Sequence, residues 1–139
     1  MRIAMIGTGY VGLVSGACIA DFGHHVTCVD KDSAKIAALN EGVIPIYEPG
    51  LKDIVQSNVR QGRLQFTPAL SDALSAADAV FIAVGTPSRR GDGHADLSYV
   101  YQAAREIALA LTDFTVVITK STVPVGTGDE VECLSLIHI

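Results

Sequence analysis

Residues 3–12 read Ile3-Ala4-Met5-Ile6-Gly7-Thr8-Gly9-Tyr10-Val11-Gly12, and this stretch decides the fold. Its first four residues are apolar, which predicts a strand buried inside a parallel sheet. The apolar residues between positions 13 and 20 predict a helix, and residues 26–29 predict a second strand that ends at Asp30. A strand, a glycine-rich turn, a helix, a strand and an acid form the dinucleotide-binding fingerprint. We therefore predict an α/β fold of the Rossmann type, a doubly wound parallel sheet with helices on both faces.

Each glycine of this motif has its own physical role. Gly7 permits a tight turn out of the strand, where a side chain would meet a steric barrier. Gly9 allows the backbone to approach a pyrophosphate, and Gly12 allows the helix to pack against the strand. The unpaired N–H groups at the helix start attract phosphates together with the helix dipole. The alternative interpretation is a glycine-rich surface turn that binds nothing.

Asp30 indicates which dinucleotide binds. It lies 18 residues after Gly12, near the usual spacing of about 20 for a carboxylate that accepts from a ribose 2′-hydroxyl. The same carboxylate would repel a 2′-phosphate, so it favours NAD over NADP. Lys31, the next residue, weakens this preference slightly.

Composition sets outer bounds on the function. The chain has 139 residues, of which 49% are hydrophobic and 18% charged, as in one folded domain. The net charge of −5 disfavours nucleic acid as a partner, and the apolar runs are too short to span a membrane. The three cysteines have no paired spacing, so we expect a cytoplasmic protein without disulfides or a metal site.

The second predicted helix begins near Asp32 or Ser33, either of which can cap it. Lys35 then lies in the first turn, where the helix dipole disfavours a cation. This placement suits a lysine that folds back over the adenosine ribose, although an ordinary solvated lysine would also fit. Residues 43–50 contain two prolines and a glycine, which predict an ordered loop packed on this domain or on a neighbouring one.

Three further strands are predicted at residues 63–67, 79–84 and 114–119, the first of them near a sheet edge. Hydroxyl side chains follow the last two: Thr86 after one strand, Ser121 and Thr122 after the other. Ligands of doubly wound sheets bind beyond the carboxyl ends of the strands, so these hydroxyls would face the cofactor. Their alternative role is capping of local backbone. Arg89 and Arg90 lie in a polar loop and would either attract a phosphate-bearing substrate or remain exposed.

In combination, five stretches resemble the UDP-glucose/GDP-mannose dehydrogenase family, from Met1 to about Glu132. They are Gly7-Thr8-Gly9-Tyr10-Val11-Gly12-Leu13-Val14, Val29-Asp30, Tyr47-Glu48-Pro49-Gly50-Leu51, Val84-Gly85-Thr86-Pro87 and Lys120-Ser121-Thr122-Val123-Pro124-Val125-Gly126. The resemblance implies a two-step oxidation of a sugar C6 alcohol to a carboxylate, with two NAD consumed. The implied substrate is a UDP-sugar, with UDP-glucose favoured.

The resemblance also assigns individual residues. Val11, Asp30, Lys35, Thr86 and Ser121 match cofactor-contacting positions, and Thr122 matches a threonine that assists proton handling through an ordered water. Together with the fingerprint, this predicts a cofactor-binding set of Gly7, Gly9, Tyr10, Val11, Gly12, Asp30, Lys35, Thr86, Ser121 and Thr122. Members of the family are commonly homo-oligomers.

The chain departs from the family pattern after Glu132. We expect an NAD-binding domain at residues 1–132 and a non-native tail at residues 133–139, because the family continues there as a charged amphipathic helix. The second oxidation in this family uses a cysteine, and no match to its motif is present, so we expect the 139 residues to be inactive alone. The competing interpretations are a nucleotide-sensing module of a potassium transport system and another hydride-transfer enzyme, such as a 3-hydroxy acid dehydrogenase.

Overall fold

In the computed structural model, the fingerprint stretch forms the centre of a five-stranded parallel sheet. The structure describes residues 1–89, 91 and 93–136. The strands are β1 (Arg2–Ile6), β2 (His25–Val29), β3 (Leu64–Thr67), β4 (Ala79–Ile82) and β5 (Val116–Thr119). The helices are α1 (Tyr10–Asp21), α2 (Ser33–Asn40), α3 (Leu51–Arg60), α4 (Leu70–Leu74), α5 (Ser98–Ala110) and α6 (Thr127–Leu136).

Two apolar cores lie on opposite faces of the sheet. Alternate residues of a strand point to opposite faces, so Met5 of β1 joins one core and Ala4 joins the other. The first core contains buried residues of α1, α2 and α3, and the second contains buried residues of α4, α5 and α6. Helices therefore cover both faces, which confirms the predicted doubly wound α/β fold of the Rossmann type.

The strand order is β3-β2-β1-β4-β5, with every pairing parallel. The chain proceeds outward from β1 to β3 and then returns to the other side of β1 as β4. The order of strands reverses next to β1, and a crevice opens there beyond the carboxyl ends of β1 and β4. The predicted edge position of β3 is confirmed.

Several element boundaries differ from the expected ones. β5 begins at Val116, two residues later than expected, because its first ladder contact is the hydrogen bond from Val116 N–H to the carbonyl of Asp78. Phe114 is 92% exposed and lies outside the sheet. β4 ends at Ile82 and not at residue 84. Asp32, and not Ser33, caps α2, since its carboxylate accepts from the N–H groups of Ala34 and Lys35.

The loop at residues 43–50 is packed on this domain. Ile44 and Ile46 are partly buried against the first core, while Tyr47 is 94% exposed. In the described part of the chain, no helix has the length and apolar character needed to cross a membrane. α6 continues to Leu136, residues 137–139 lie outside the described residues, and the boundary expected at residue 132 stays a prediction.

Candidate cofactor site

The glycine-rich turn is closely packed at two of its three glycines. Gly7 has a φ of 102°, in the region that favours glycine, and a Cβ there would lie 2.6 Å from the carbonyl oxygen of Ala83. A Cβ on Gly12 would lie 1.9 Å from the carbonyl oxygen of Gly7. Neither position has room for a side chain, so the packing of α1 on β1 and β4 requires both glycines.

Gly9 differs, because among the described residues no atom beyond its own neighbours in the chain lies within 4 Å of the position that its Cβ would occupy. Its backbone is extended, with φ −70° and ψ −172°, which any residue adopts. It is the N-cap residue of α1, and no side chain caps that helix start in the described structure. Space and unpaired N–H groups therefore coincide at a helix N-terminus, an arrangement that fits a phosphate of the cofactor. Tyr10 and Val11, at the start of the same helix, are both exposed.

Asp30 is held by four hydrogen bonds. Its Oδ2 accepts from the Thr8 hydroxyl at 2.6 Å, from the Thr8 N–H at 3.0 Å and from the Lys35 ammonium at 2.9 Å. Its Oδ1 accepts from the Asp32 N–H at 3.1 Å. Burial by itself would raise the pKa of Asp30, but the bonds from Thr8, Lys35 and the backbone outweigh it and lower the pKa to about 2. The carboxylate is therefore ionised at neutral pH.

Two lysines lie next to this carboxylate and have different partners. The Lys35 ammonium pairs with Asp30, so the structure places it beside the acid and not in open solvent. Lys31 reaches across to α5, where its ammonium lies 2.6 Å from Oε1 of Glu106. Lys31 therefore pairs with Glu106 and not with Asp30.

A cleft of about 620 Å³ opens beside Asp30. Gly7, Gly9, Asp30 and Lys35 line it, four of the residues predicted from the sequence. Its other walls come from the start of α4, the loop after β4 and the exposed side of α5: Pro68, Leu70, Gly85, Pro87, Tyr99, Gln102 and Glu106. The α5 side chains were not predicted, because α5 lies far from the fingerprint in the chain.

The hydroxyl-bearing loops after β4 and β5 contact each other. The Ser121 hydroxyl lies 2.7 Å from the Val84 carbonyl oxygen, and the Thr86 hydroxyl donates to the Thr122 carbonyl at 3.0 Å. Each hydroxyl oxygen still has lone pairs with which to accept. The side chain of Thr122 is exposed. The structure brings the three residues together, and their contact with a cofactor stays a prediction.

The sequence did not indicate a contact between Tyr10 and the 43–50 loop. The Tyr10 hydroxyl donates to the Glu48 carboxylate, and this hydrogen bond raises the pKa of Tyr10. The loop therefore reaches the start of α1, next to the glycine-rich turn. In the sequence this contact is indicated only by the presence of an aromatic residue, Tyr10, in the motif and of an acid, Glu48, in the loop.

Backbone contacts join the described residues at the two ends of the polar loop after β4. Ser88 and Ala95 form an antiparallel bridge, and the Arg89 N–H donates to the His94 carbonyl at 2.7 Å. Arg90, the second arginine considered for a phosphate-bearing substrate, lies outside the described residues.

This fold and site define a Rossmann-type dinucleotide-binding domain of the dehydrogenase class. The sequence matches, over residues 1–137, the family described as "UDP-glucose/GDP-mannose dehydrogenase family, NAD binding domain". The chain belongs to this family, and its cofactor is NAD.

Individual relatives agree with this assignment. A UDP-glucose 6-dehydrogenase of Rhizobium meliloti is 74% identical over 132 residues, which cover 95% of this chain and 30% of that protein. A UDP-glucose 6-dehydrogenase of Bacillus subtilis is 49% identical over 139 residues, covering 100% and 31%. Among solved structures, a GDP-mannose dehydrogenase from Pseudomonas aeruginosa superposes with a TM-score of 0.90 at 39% identity, covering 97% of this chain and 33% of that one. The chain thus spans about 30% of the length of the curated relatives it matches.

Proposed function

We propose that this chain is the NAD-binding part of a UDP-glucose 6-dehydrogenase, which converts UDP-glucose, two NAD and water to UDP-glucuronate and two NADH. One observation carries the proposal: the complete glycine-turn and Asp30 site occurs in a chain 74% identical to the N-terminal part of such an enzyme. The potassium-transport module and the 3-hydroxy acid dehydrogenase are set aside, because the family match covers residues 1–137.

NAD, when bound, accepts a hydride from the substrate carbon. The residues of this chain bind and orient it. In our proposal the N–H groups beyond Gly9, at Tyr10 and Val11, hold the pyrophosphate, and Gly7 and Gly12 shape the turn that presents them. Asp30 accepts from the ribose hydroxyls, and Lys35 keeps that carboxylate in place.

In our proposal the loops after β4 and β5 bind the nicotinamide half of the cofactor. Thr86 and Ser121 lie at the carboxyl ends of neighbouring strands, where the doubly wound fold places its ligands. The exposed Thr122 hydroxyl can hold a water that exchanges a proton with the reacting sugar hydroxyl, an assisting role.

Partner and location follow from the relatives and from the cysteines. We propose a UDP-sugar as substrate, with UDP-glucose favoured because the UDP-glucose 6-dehydrogenases of Rhizobium meliloti and Bacillus subtilis are more similar in sequence than the GDP-mannose enzyme. The full-length protein is proposed to be a cytoplasmic homo-oligomer, and the three free thiols fit a reducing compartment. The NAD-binding domain is proposed to span residues 1–132.

Calorimetric titration of the 139-residue chain with NAD and with NADP tests the proposal. We expect saturable NAD binding, at least about tenfold tighter than NADP binding because the Asp30 carboxylate repels a 2′-phosphate. Equal or reversed affinities would contradict the role of Asp30.

A second assay mixes the chain with UDP-glucose and NAD and follows the formation of UDP-glucuronate by chromatography. The family's second oxidation, from aldehyde to carboxylate, needs a cysteine that has no match here, so we expect NAD binding without formation of UDP-glucuronate. Turnover by the 139 residues alone would show that this view of the chain is wrong.

A further inference from the structure

We propose that Thr8 is a positioning residue that holds the Asp30 carboxylate toward the ribose and thereby sets the preference for NAD over NADP. The proposal rests on the proposed function, because it assigns Asp30 to the ribose. Thr8 occupies a position of the fingerprint for which the roles of the three glycines require no particular side chain.

The geometry of Thr8 is that of a clamp. Both its hydroxyl and its backbone N–H donate to the same oxygen, Oδ2 of Asp30, at 2.6 and 3.0 Å. Thr8 follows β1 and Asp30 follows β2, so the two bonds join the carboxyl ends of neighbouring strands. A carboxylate held twice from one residue cannot rotate without breaking both bonds.

The burial of Thr8 indicates that its hydroxyl needs the hydrogen bond to Asp30. The residue is 0% exposed, and a buried hydroxyl destabilises a fold unless it is paired. Valine has nearly the same shape and carries no such penalty, so packing alone would favour valine. Because a hydroxyl has a single proton, donation to Asp30 uses the whole donor capacity of the Thr8 side chain.

The clamp leaves one side of Asp30 available. Within the described part of the chain, Oδ2 accepts three hydrogen bonds, two from Thr8 and one from the Lys35 ammonium. Oδ1 accepts one, from Asp32 N–H, so it is the oxygen with acceptor capacity to spare. Asp30 lines the cleft, so Oδ1 can accept from a sugar hydroxyl there.

The charged groups around Asp30 explain the effect on specificity. Lys35 approaches it from α2, and the ion pair of Lys31 with Glu106 of α5 borders the same cleft. While Thr8 holds the carboxylate in place, the negative charge and its bound Lys35 stay at the 2′ position. When Asp30 is released, Lys35 becomes free to pair with a 2′-phosphate.

The test compares Thr8→Val with Thr8→Ser in titrations with NAD and NADP. We expect Thr8→Val to weaken NAD binding about fivefold to tenfold, the usual effect of losing one hydrogen bond, and to leave NADP binding unchanged or improved. Thr8→Ser keeps the hydroxyl and restores the wild-type ratio. Thr115→Val is the matched control, because its hydroxyl bonds to the Ala77 carbonyl at the amino ends of β4 and β5, whereas Thr8 lies at the carboxyl end of β1.

A carboxyl titration by NMR, without any cofactor, measures the contact itself. The pKa of Asp30 is about 2 with Thr8 in place, and we expect Thr8→Val to raise it toward its ordinary value while Thr115→Val does not. If Thr8→Val fails to fold, Thr8→Ala removes the hydroxyl without adding volume and is measured in its place.

The proposal is overturned if Thr8→Val weakens NAD and NADP by the same factor, if Thr8→Ser fails to restore the ratio, or if the pKa of Asp30 does not change. Failure of the proposed function gives a different result, in which the wild-type chain binds neither dinucleotide. In that case the specificity role is also overturned, and the NMR titration still decides whether Thr8 clamps Asp30.

Discussion

The side-chain oxygen of Ser121, two residues after β5, lies 2.7 Å from the carbonyl oxygen of Val84, two residues after β4. This hydrogen bond joins the two loops in which the sequence predicts the nicotinamide to bind. The N–H of Ser121 donates to Ile82 as well, so backbone and side chain act together. The relative position of the loops is therefore determined before any ligand arrives.

Ser121→Ala removes this tie. We expect the free energy of unfolding to fall by about 1 kcal/mol, since a partly buried carbonyl loses its side-chain donor. Urea denaturation measures the change, with Ser71→Ala as the control, because Ser71 is exposed and its hydroxyl donates to Asp72, the next residue in the chain. Equal effects of the two substitutions would show that the hydrogen bond from Ser121 to Val84 does not contribute to the free energy of unfolding.

Gly9 and Gly12 are expected to respond in opposite ways to alanine. Gly12→Ala would place a methyl group 1.9 Å from the Gly7 carbonyl oxygen, so we expect a loss of more than about 3 kcal/mol of stability. Gly9→Ala meets no protein atom and should change stability by less than about 0.5 kcal/mol.

Cofactor binding distinguishes the two variants further. Gly9→Ala should weaken NAD binding at least about tenfold despite a normal thermal transition, because the methyl group would occupy the space of the phosphate. Thermal unfolding and calorimetry on the same samples measure both quantities. An unchanged NAD affinity in Gly9→Ala would show that the pyrophosphate does not bind at this turn.

Asp30→Asn tests the discrimination between dinucleotides directly. An amide carries no charge to repel a 2′-phosphate, so we expect the ratio of NADP to NAD dissociation constants to fall about tenfold or more. Asp53→Asn, on the side of α3 exposed to solvent and outside the residues that line the cleft, makes the same change in net charge and serves as the control. If Asp30→Asn leaves this ratio at the wild-type value, Asp30 does not contact the ribose.

Asp30 also makes stability depend on pH. Its pKa is lowered in the fold, to about 2 from an ordinary 3.8. A lowered pKa gives stability that is present above the ordinary value and is lost as the pH falls toward the folded value. With allowance for solvent screening, we expect a loss of about 1 to 2 kcal/mol between about pH 5 and pH 2.

Unfolding experiments across that range measure this contribution. Asp30→Asn should flatten the acid side of the stability curve relative to the wild-type chain, because only the wild type must protonate a hydrogen-bonded carboxylate at this site. Parallel curves for the two proteins would contradict the low pKa.

The fingerprint region was predictable because its signals are local. Apolar runs, three glycines and an acid at fixed spacing predict β1, α1 and β2, and the candidate site residues Gly7, Gly9 and Asp30 are predicted from the same signals. The clamp between Thr8 and Asp30 was not predictable in this way. Its two residues lie 22 positions apart, and only strand pairing brings them within hydrogen-bond distance.

The loop hydroxyls show a second kind of limit. A serine after a strand predicts either a cap or a ligand contact, and the choice depends on which carbonyl the neighbouring strand presents. Here the carbonyl oxygen of Val84 accepts from the Ser121 hydroxyl. The distance between these two atoms cannot be read from the sequence. Phe114 was assigned to β5 on local β-propensity, but pairing with the sheet begins only at Val116.

The position of β1 has a consequence for synthesis on the ribosome. β1 is made first and pairs with β2 soon afterwards, but its other edge has no partner until Ala79–Ile82 emerge. During that interval the nascent chain exposes a hydrophobic strand edge, the kind of surface that chaperones bind and that drives aggregation. In the proposed site NAD lies in the cleft beside β1 and β4, so there it can stabilise only the finished sheet and gives no protection to the growing chain.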